Sequence, residues 1–275
     1  SDFFLGTYKL VVLIYLANVC SNVGANHCKL NDVISSGDLV FNDLSHEFDK
    51  NTIYWPTVRP FEFTKKQAEN TENGWYAANE FEAGEHGGTH MDAPYHFYRE
   101  GKFVGEIPLE NLILPLIVVD ISSLVNGDPN FVLYKHHLDH LLNNNNGKPC
   151  MMIFKFGWSR FYGDKKKYLG TNETEGVLNF PGLSVEIAEW LTSAHKNVVG
   201  VGVDGPSLDP GSSKTFPVHK ILMTAGVYGM ENVKLDEPLP DYGCTGIAMP
   251  MKIAKGTGGP LRLAALCPKT TPTHF

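Results

Sequence analysis

The sequence has 275 residues, of which 43% are hydrophobic and 19% charged, and its net charge is −7 at neutral pH. Such a chain is long enough to bury a substantial core, as one large domain or two small ones. Its acidic balance, with no basic run beyond Lys165 to Lys167, excludes a nucleic acid as the partner, because the chain would repel a polyphosphate.

The N-terminus carries an apolar run, residues 10–20 (LVVLIYLANVC), directly after Lys9. This run is too short to span a bilayer, so we expect no membrane association. It fits the apolar core of a secretory signal, with small residues for cleavage near Ser21 or Ala25. The alternative is a buried first strand or helix. We expect residues 1–25 to be the remainder of a signal peptide, residues 26–275 to be the mature domain, and the protein to be secreted.

Outside that segment the chain has four cysteines, Cys28, Cys150, Cys244 and Cys267. An even number is compatible with two disulfides in an oxidising compartment, although three pairings are possible. No CxxC occurs, so a cysteine zinc site has no support. Asn172 begins an Asn-Glu-Thr sequon for N-glycosylation, which is consistent with secretion.

Two strands are predicted before a polar segment that is rich in histidine. Residues 40–46 are typical of a short strand, and residues 75–83 partly alternate as a strand that leads into that segment. Between them Trp55 precedes a proline in a loop, and Phe61 and Phe63 lie in an alternating stretch. Aromatic residues here either line a pocket for a planar substrate or belong to the core. For Phe61 and Phe63 we favour the core.

The segment at residues 85–96 reads E-H-G-G-T-H-M-D-A-P-Y-H and contains His86, His90, Asp92 and His96. Histidine and aspartate bind divalent metals, and histidine also transfers protons near neutral pH. The alternative is a set of surface histidines on a glycine-rich loop. Three imidazoles and a carboxylate at this density argue against that alternative.

The glycines of this segment decide how it folds. Gly87 and Gly88 oppose a helix, and a straight strand would hold the Cα atoms of His86 and His90 about 13 Å apart, which is too far for one metal. A turn at the two glycines, where positive φ is accepted, brings His86 beside His90. Extended chain then places Asp92 on the same side as His90. We therefore predict that these three residues form one facial set of metal ligands and that His96 is a nearby acid or base.

The second half of the chain alternates strands and helices. Buried strands are predicted at residues 113–121, 151–156 and 198–203. Helices are predicted at residues 134–142 and after Ser184, which is a good N-cap, and residues 162–179 form a polar excursion. Asp204 ends a buried strand, where a carboxylate is costly unless hydrogen-bonded. It either orients His219 or another ligand, or caps the following turn. The alternation indicates an α/β fold with a mixed sheet in a single domain.

The histidine-rich segment also resembles a family signature. H-G-G-T-H-M-D-A-P-Y-H meets every fixed position of H-x-G-T-H-x-D-x-P-x-H, the signature of the metal-dependent cyclase-like hydrolases, which include bacterial kynurenine formamidases and isatin hydrolases. The resemblance runs from about Phe41 to Leu266, with one departure at Gly205, where many relatives carry threonine. It implies a swivelling β/β/α fold, with a central mixed, barrel-like sheet and flanking helices, and a homo-oligomer, either a dimer or a tetramer.

The resemblance assigns further site residues. A histidine and a glutamate at the separation of His219 and Glu231 complete the metal site of the kynurenine formamidases, in which the aspartate matching Asp92 bridges two metals. Some isatin hydrolases use a single manganese and place glutamine at the position of Glu231, so the glutamate here favours two metals. The family's aromatic-proline segment matches Trp55, which implies a stacking wall for an aryl substrate.

We therefore expect a metal-dependent amidohydrolase with one or two zinc or manganese ions and a small aromatic amide as substrate. The substrate would be N-formylkynurenine, cleaved to kynurenine and formate in tryptophan catabolism, or a cyclic amide of the isatin type. The metal would supply hydroxide at neutral pH, and His96 would carry a proton to the leaving nitrogen.

Two other classes of protein remain open. A secreted binding protein without turnover should have lost a ligand or His96, and this chain has lost none. A disulfide-linked structural protein with an incidental metal does not explain the two-part site. A serine hydrolase is disfavoured because the G-x-S-x-G motif is absent.

Overall fold

The structure is a computed structural model that describes residues 30–138, 147–171 and 177–269. The expected signal segment, Cys28 and the sequon at Asn172 lie outside these residues and stay predictions. The strands are β1 (Leu39–Asp43), β2 (Glu62–Thr71), β3 (Gly74–Glu82), β4 (His90–Asp92), β5 (Ile113–Asp120), β6 (Val132–Leu133), β7 (Cys150–Lys155), β8 (Gly182–Leu183), β9 (Val198–Val203), β10 (Tyr228–Glu231), β11 (Cys244–Pro250) and β12 (Gly258–Pro268). The α-helices are α1 (Leu30–Ser35), α2 (Ser122–Val125), α3 (Lys165–Leu169), α4 (Val185–Ala194) and α5 (Pro217–Thr224).

Eight strands form one mixed sheet in the order β1-β12-β11-β5-β7-β9-β10-β4, and β4 also pairs with β12. That additional pairing closes seven strands into a barrel-like ring and leaves β1 outside it, on β12. Neighbours among β5, β7, β9 and β10 are parallel, and the other pairings of the sheet are antiparallel. Parallel neighbours joined through helices are typical of α/β proteins. The predicted fold class, a single α/β domain with a barrel-like mixed sheet, is confirmed.

Alternation along the strands produces two hydrophobic cores. On β7, Met151 and Ile153 pack with Met91 of β4 in one cluster, while Met152 and Phe154 belong to the other. Since successive side chains of a strand point to opposite faces, the first cluster fills the ring and the second lies outside it. Buried residues of α4 and α5 cover the outer cluster. The helices thereby lie against the part of the sheet that supports the candidate site.

The three predicted buried strands are confirmed as β5, β7 and β9, and the first two predicted strands as β1 and β3. The N-cap is also confirmed, because Ser184 Oγ accepts a hydrogen bond from the backbone N–H of Ile187. The helix predicted at residues 134–142 is wrong in its described part, where only the 3-10 turn Lys135–His137 forms. There the His137 ring accepts the backbone N–H of Tyr134, and the turn does not continue.

The polar excursion predicted at residues 162–179 contains a helix. Asp164 caps α3 by accepting the backbone N–H of Lys167, and Tyr168 on this helix is completely buried. This helix was not predicted because the lysines at its start make the segment polar.

Among the described residues, none of the helices is both long enough and apolar enough to cross a membrane.

One disulfide is present, between Cys244 on β11 and Cys267 on β12. The two strands are antiparallel neighbours, and Thr245 pairs with Leu266 in their register, so the two cysteines face each other across the ladder. This pair was one of the pairings left open by the sequence. Cys150 is buried on β7, so the expectation of a second disulfide between the remaining cysteines rests on Cys28, which lies outside the described ranges.

Strands β2 and β3 pair only with each other and form a two-stranded hairpin whose residues are almost all exposed. The register puts Phe63, Lys66, Ala68, Asn70, Trp75, Ala77, Asn79 and Phe81 on a common side, and its five apolar members, Phe63, Ala68, Trp75, Ala77 and Phe81, are here named the apolar hairpin face. On this face Phe63 is 38% exposed, Phe81 is 52% exposed and Trp75 is 67% exposed. The expectation of a core position was therefore right for Phe61, which is buried, and wrong for Phe63.

Candidate metal centre and its cavity

The histidine-rich segment turns back at its two glycines. Gly88 has a φ of 55°, which favours glycine, and Gly87 lies so close to Tyr54 that a Cβ there would stand 2.0 Å from Cε1 of the ring. The rings of His86 and His90 consequently come to 5.4 Å between centroids. The predicted turn is confirmed, and a glycine is required at both positions for different reasons.

Strand pairing then brings the two halves of the chain together. His90 and Asp92 lie on one side of β4, while Met91 between them is buried in the ring. The antiparallel neighbour β10 places Glu231 directly opposite His90. The first turn of α5 contributes His219, whose Nε2 is 3.0 Å from Glu231 Oε1 and 3.4 Å from Asp92 Oδ2. All the residues that the sequence assigned to metal binding therefore lie in one cluster.

Three imidazoles of this cluster are each fixed by an oxygen atom outside it. These contacts are Thr257 Oγ1 with His86 Nε2 at 2.7 Å, the Gly88 carbonyl oxygen with His90 Nδ1 at 3.0 Å, and Asp209 Oδ2 with His219 Nδ1 at 2.6 Å. Carbonyl and carboxylate oxygens only accept hydrogen bonds, so the ring nitrogens that face them donate. The Thr257 hydroxyl donates to Glu85 Oε2, and it therefore accepts from His86. In a neutral imidazole the other nitrogen then carries a lone pair.

Those remaining nitrogens face carboxylate oxygens. His86 Nδ1 is 2.6 Å and His90 Nε2 is 3.2 Å from Asp92 Oδ1, and His219 Nε2 faces Glu231. A lone pair and a carboxylate repel each other at such distances unless a proton or a metal ion lies between them. Orientation of ligating histidines by oxygen atoms of surrounding residues is characteristic of metal sites. The residues therefore fit a divalent metal.

The electrostatics lead to the same conclusion. Asp92 is buried, and its Oδ2 receives no hydrogen bond from any part of the chain that the structure describes. Burial would raise the pKa of Asp92, but the imidazoles of His90, His219 and His86 lower it well below its usual range. Burial would likewise lower the pKa of His90, but Asp92 and Glu231 raise it to about 9. The cluster is built to hold positive charge between its carboxylates.

Two groups of three ligand atoms have members that lie within 4.8 Å of one another. One contains His90, Asp92 and Glu231, and the other contains His86, Asp92 and His96. Asp92 belongs to both groups, and His86 Nδ1 and His90 Nε2 both lie close to its Oδ1. His86 and His90 both contact Asp92, and the expectation that these three residues form one facial set of ligands stays a prediction.

His96 lies beside the cluster at the end of the 3-10 helix Pro94–His96. Its ring stacks on that of His86, with 3.9 Å between centroids and 22° between planes. Burial lowers the pKa of His96 to about 4, although Asp92 opposes the shift. At neutral pH this imidazole is therefore uncharged and able to accept a proton.

A cavity of about 220 Å³ opens over the cluster. It is lined by His86, His90, Asp92, His96, His219 and Glu231 and by the aromatic residues Tyr54, Trp55, Phe97 and Phe216. The rings of Trp55 and Phe216 meet edge to face with 5.8 Å between centroids. Since a cavity of about 150 Å³ already binds benzene, this space accommodates a small aromatic molecule. Trp55 therefore lies where the sequence analysis expected a wall of the pocket.

The structure shows neither of the two roles left open for Asp204. Its carboxylate accepts the backbone N–H groups of Phe156, Trp158 and Ser159 and does not contact His219. Burial raises its pKa to about 6, although these hydrogen bonds oppose the shift. Asp204 thus fixes the loop after β7, and Asp209 is the residue that orients His219.

Sequence reasoning missed Asp209, Thr257, Glu85 and Tyr54 as residues of the site. Asp209 had a detectable signal, because an Asp-Pro pair follows the buried strand β9 and lies ten residues before His219. Glu85 had a positional signal, because it directly precedes His86. Thr257 had no detectable signal, since it directly precedes β12 and lies 171 residues after His86 in the chain.

The chain is similar in sequence and in structure to known proteins. Residues 42–210 match the model of the family described as "Putative cyclase". The chain is 31% identical to isatin hydrolase of Roseibium aggregatum over 82% of its own length and 86% of the relative. It is 28% identical to kynurenine formamidase of Bacillus thuringiensis over 80% and 94% of the two chains. The solved structure of isatin hydrolase A from Ralstonia solanacearum superposes with a TM-score of 0.77 at 29% identity, covering 88% of this chain and all of that one.

Proposed function

This chain belongs to the cyclase family of metal-dependent hydrolases, and from that premise we propose that it hydrolyses the amide bond of a small aromatic amide. One observation carries the proposal. Three oriented imidazoles and two carboxylates converge on the floor of an aromatic cavity, and the lone pairs of the imidazoles face the carboxylates. That donor set binds a divalent cation rather than a substrate.

His86, His90, Asp92, His219 and Glu231 would hold the metal. Mixed imidazole and carboxylate ligands suit zinc and manganese alike. The group of His90, Asp92 and Glu231 uses only these ligands, whereas the group of His86, Asp92 and His96 would make His96 a ligand, so we propose one or two ions. When bound, a divalent ion lowers the pKa of water from ~15.7 toward ~7 and polarises a carbonyl oxygen.

His96 would transfer the proton that amide hydrolysis requires. Its imidazole is neutral at pH 7, because burial lowers its pKa to about 4, and it lies in the wall of the cavity beside His86. It can therefore accept a proton from the attacking water and deliver it to the departing nitrogen. The amide nitrogen leaves poorly without that proton.

Trp55, Phe97 and Phe216 would hold the aryl ring of the substrate. Their rings form an apolar wall beside the ligand cluster. N-formylkynurenine, cleaved to kynurenine and formate, fits this arrangement. Ring opening of isatin is the second candidate, favoured by the similarity to isatin hydrolases at 31% identity and a TM-score of 0.77.

The test is turnover of both compounds by protein that has been stripped with a chelator and reloaded with zinc or with manganese. We expect metal-dependent hydrolysis of one compound, and the compound that is turned over identifies the branch. His96→Ala should abolish turnover while the protein still binds metal. Hydrolysis at the wild-type rate by that variant would refute the role of His96, and lack of turnover of both compounds would refute the function.

We also propose that the protein is exported. The apolar run at residues 10–20, the sequon at Asn172 and the disulfide between Cys244 and Cys267 support an oxidising compartment. Mass spectrometry of the protein from its source should find residues 10–20 removed and a glycan on Asn172. Retention of residues 10–20 on the mature protein would refute export through a cleaved signal.

A second copy of the chain is proposed as the partner that covers the apolar hairpin face. Trp75 and Phe81 on this face are more than half exposed, and an isolated two-stranded hairpin is only marginally stable in water. The opposite face carries charged residues such as Lys65 and Glu80, which are suited to solvent. A homodimer, alone or as half of a tetramer, would bury the aromatic side chains.

A further inference from the structure

Tyr54 has a buried hydroxyl group that satisfies none of its hydrogen-bonding capacity. Its side chain is 3% exposed, and Oη has no hydrogen-bond partner among residues 30–138, 147–171 and 177–269. Buried hydroxyl groups are normally paired, because leaving one unpaired destabilises the folded state. Tyr54 lines the same cavity as Asp92, whose Oδ2 is also unpaired. A bound metal would give the unpaired oxygen of Asp92 a partner, whereas none of the roles proposed above gives the Tyr54 hydroxyl a partner.

The ring of Tyr54 is held firmly in place. It packs on Gly87, where a Cβ would stand only 2.0 to 2.5 Å from three of its ring atoms. The backbones of Tyr54 and Gly87 form an isolated antiparallel bridge, and the Gly88 N–H donates to the Ile53 carbonyl oxygen at 2.9 Å. The hydroxyl is therefore fixed relative to the turn that carries His86. Burial raises the pKa of Tyr54 to about 12, so the group remains a hydrogen-bond donor at neutral pH.

The two candidate substrates share one further acceptor. In N-formylkynurenine and in isatin alike, the aryl ring carries a ketone carbonyl on the carbon ortho to the amide nitrogen. Because Tyr54 lines the same cavity as the metal ligands, its hydroxyl is a suitable donor for that oxygen once the amide carbonyl lies over the cluster. We propose that Tyr54 is a specificity-determining residue whose hydroxyl donates a hydrogen bond to the carbonyl group ortho to the scissile amide. This inference rests on the proposed function, since it presupposes an aryl amide in the cavity.

The experiment compares two formamides that differ only in that acceptor, N-(2-acetylphenyl)formamide and formanilide, with the metal-loaded wild type and Tyr54→Phe. Removing the donor should lower kcat/KM for the acetyl compound about tenfold, the effect of losing one hydrogen bond that leaves an acceptor buried. The value for formanilide should stay within about twofold, since nothing on formanilide meets the hydroxyl. Tyr76→Phe removes a hydroxyl from the exposed hairpin and should change neither substrate.

A structural role for the hydroxyl predicts different results. If it only positioned the turn at Gly87, Tyr54→Phe would lower kcat/KM for both formamides equally, and that result would overturn the proposal. The melting temperature provides a second readout. The phenylalanine variant should be at least as stable as the wild type, because it removes an unpaired buried polar group, and a marked loss of stability would mean that the hydroxyl has a partner within the fold.

Failure of the proposed function is recognised separately. If the wild type hydrolyses neither formamide nor isatin with either metal, the amidohydrolase assignment is wrong. The role of Tyr54 is then decided by calorimetric binding of 2-aminoacetophenone and of aniline. Tighter binding of the ketone by the wild type than by Tyr54→Phe supports the hydrogen bond, and equal affinities overturn it.

Discussion

Single oxygen atoms outside the metal cluster determine how its histidines are presented. Asp209 is the most connected of them, since it accepts from His219 Nδ1 at 2.6 Å and from the backbone N–H groups of Val218 and His219 at 3.1 Å each. One carboxylate therefore fixes both the start of α5 and the tautomer of its ligand. The lone pair of His219 Nε2 faces the cluster only while this contact holds.

We expect Asp209→Asn to lower metal affinity by about 10- to 100-fold, the usual cost of losing such an orienting group. An amide accepts more weakly than a carboxylate and also offers a competing donor. Calorimetric titration of the stripped variant with zinc and with manganese measures the effect. Asp204→Asn is the control: it should lower the melting temperature, because Asp204 fixes the loop after β7, and leave the metal affinity of the folded protein unchanged. Equal affinities for Asp209→Asn and the wild type would contradict the prediction.

His46 makes the stability of the fold depend on pH. Its ring stacks on Tyr162 at 3.5 Å, its Nε2 is buried without a partner among the described residues, and burial lowers its pKa to about 4 from 6.5. The unfolded chain therefore takes up a proton at a higher pH than the folded protein does. The stabilisation from neutral His46 is complete above pH 6.5 and is lost as pH falls from 6.5 toward 4.

His46→Phe keeps a ring on Tyr162 and removes the titrating group. Melting temperatures at pH 7 and pH 5 should fall less for this variant than for the wild type, and the difference between the two slopes isolates His46 from other groups. His136→Phe, at an exposed position, should behave as the wild type does. Parallel slopes for His46→Phe and the wild type would show that His46 does not titrate as argued.

At the scale of single residues, the ligands that lie close together in the chain could be predicted, whereas the residues that orient them could not. His86, His90, Asp92 and His96 lie within eleven residues, so density and spacing identify them. His219 and Glu231 needed the family resemblance, because each is unremarkable alone. Thr257 reaches His86 only through strand pairing between β12 and β4, which no local pattern encodes. For Asp204 the sequence left two roles open, a support for a metal ligand or a cap of the following turn, and its carboxylate instead accepts the backbone N–H groups of the loop after β7.

At the scale of elements, the turn at Gly87 and Gly88 decides whether the cluster forms. A Cβ on Gly88 would stand 2.9 Å from Phe48 Cζ and 2.9 Å from Thr52 Cγ2, at a φ of +55°. Gly226 has a φ of +80° with nothing within 4 Å of its Cβ position. Gly88 and Gly226 therefore both have a positive φ, but a side chain at position 88 would meet close neighbours and one at position 226 would not.

Gly226→Ala should lower the free energy of unfolding by roughly 1–2 kcal/mol, the cost of a left-handed conformation for a residue with a side chain. Gly88→Ala should cost more and should also weaken metal binding, because relief of its contacts moves His86 away from His90. Urea unfolding and metal titration of both variants test the comparison. If Gly88→Ala binds metal as the wild type does, the turn does not control the cluster.

The elements that could be predicted are those with a local signal. Strands β5, β7 and β9 are continuous apolar runs, and α4 begins at a recognisable N-cap. The hairpin of β2 and β3 was only half recognised, because its side chains do not follow the alternation of a half-buried strand. Helix α5 was missed because no secondary structure was predicted for the segment that begins at Pro217.

At the scale of the whole molecule, the hairpin sets the expected state of assembly. Trp75→Ser with Phe81→Ser should convert an oligomer into monomers, because the substitutions remove the largest apolar groups of the apolar hairpin face. Sedimentation velocity of the wild type and the variant measures this. Tyr76→Ser, which removes an aromatic side chain from the opposite face, should leave the assembly intact. A wild type that sediments as a monomer, or a double variant that remains assembled, would contradict the proposed partner.

The barrel-like ring is closed by its shortest member. Strand β4 has three residues, pairs with β10 on one side and β12 on the other, and carries both His90 and Asp92, with Glu231 opposite His90 on β10. An ion bound by these three side chains would therefore also stabilise the pairing of β4 with β10, where the ring closes. Backbone amides along β4 and β10 should exchange with deuterium more slowly in the loaded protein, and the stripped protein should open there first. The metal ion bound at the candidate site would then stabilise the closed barrel as well as the site.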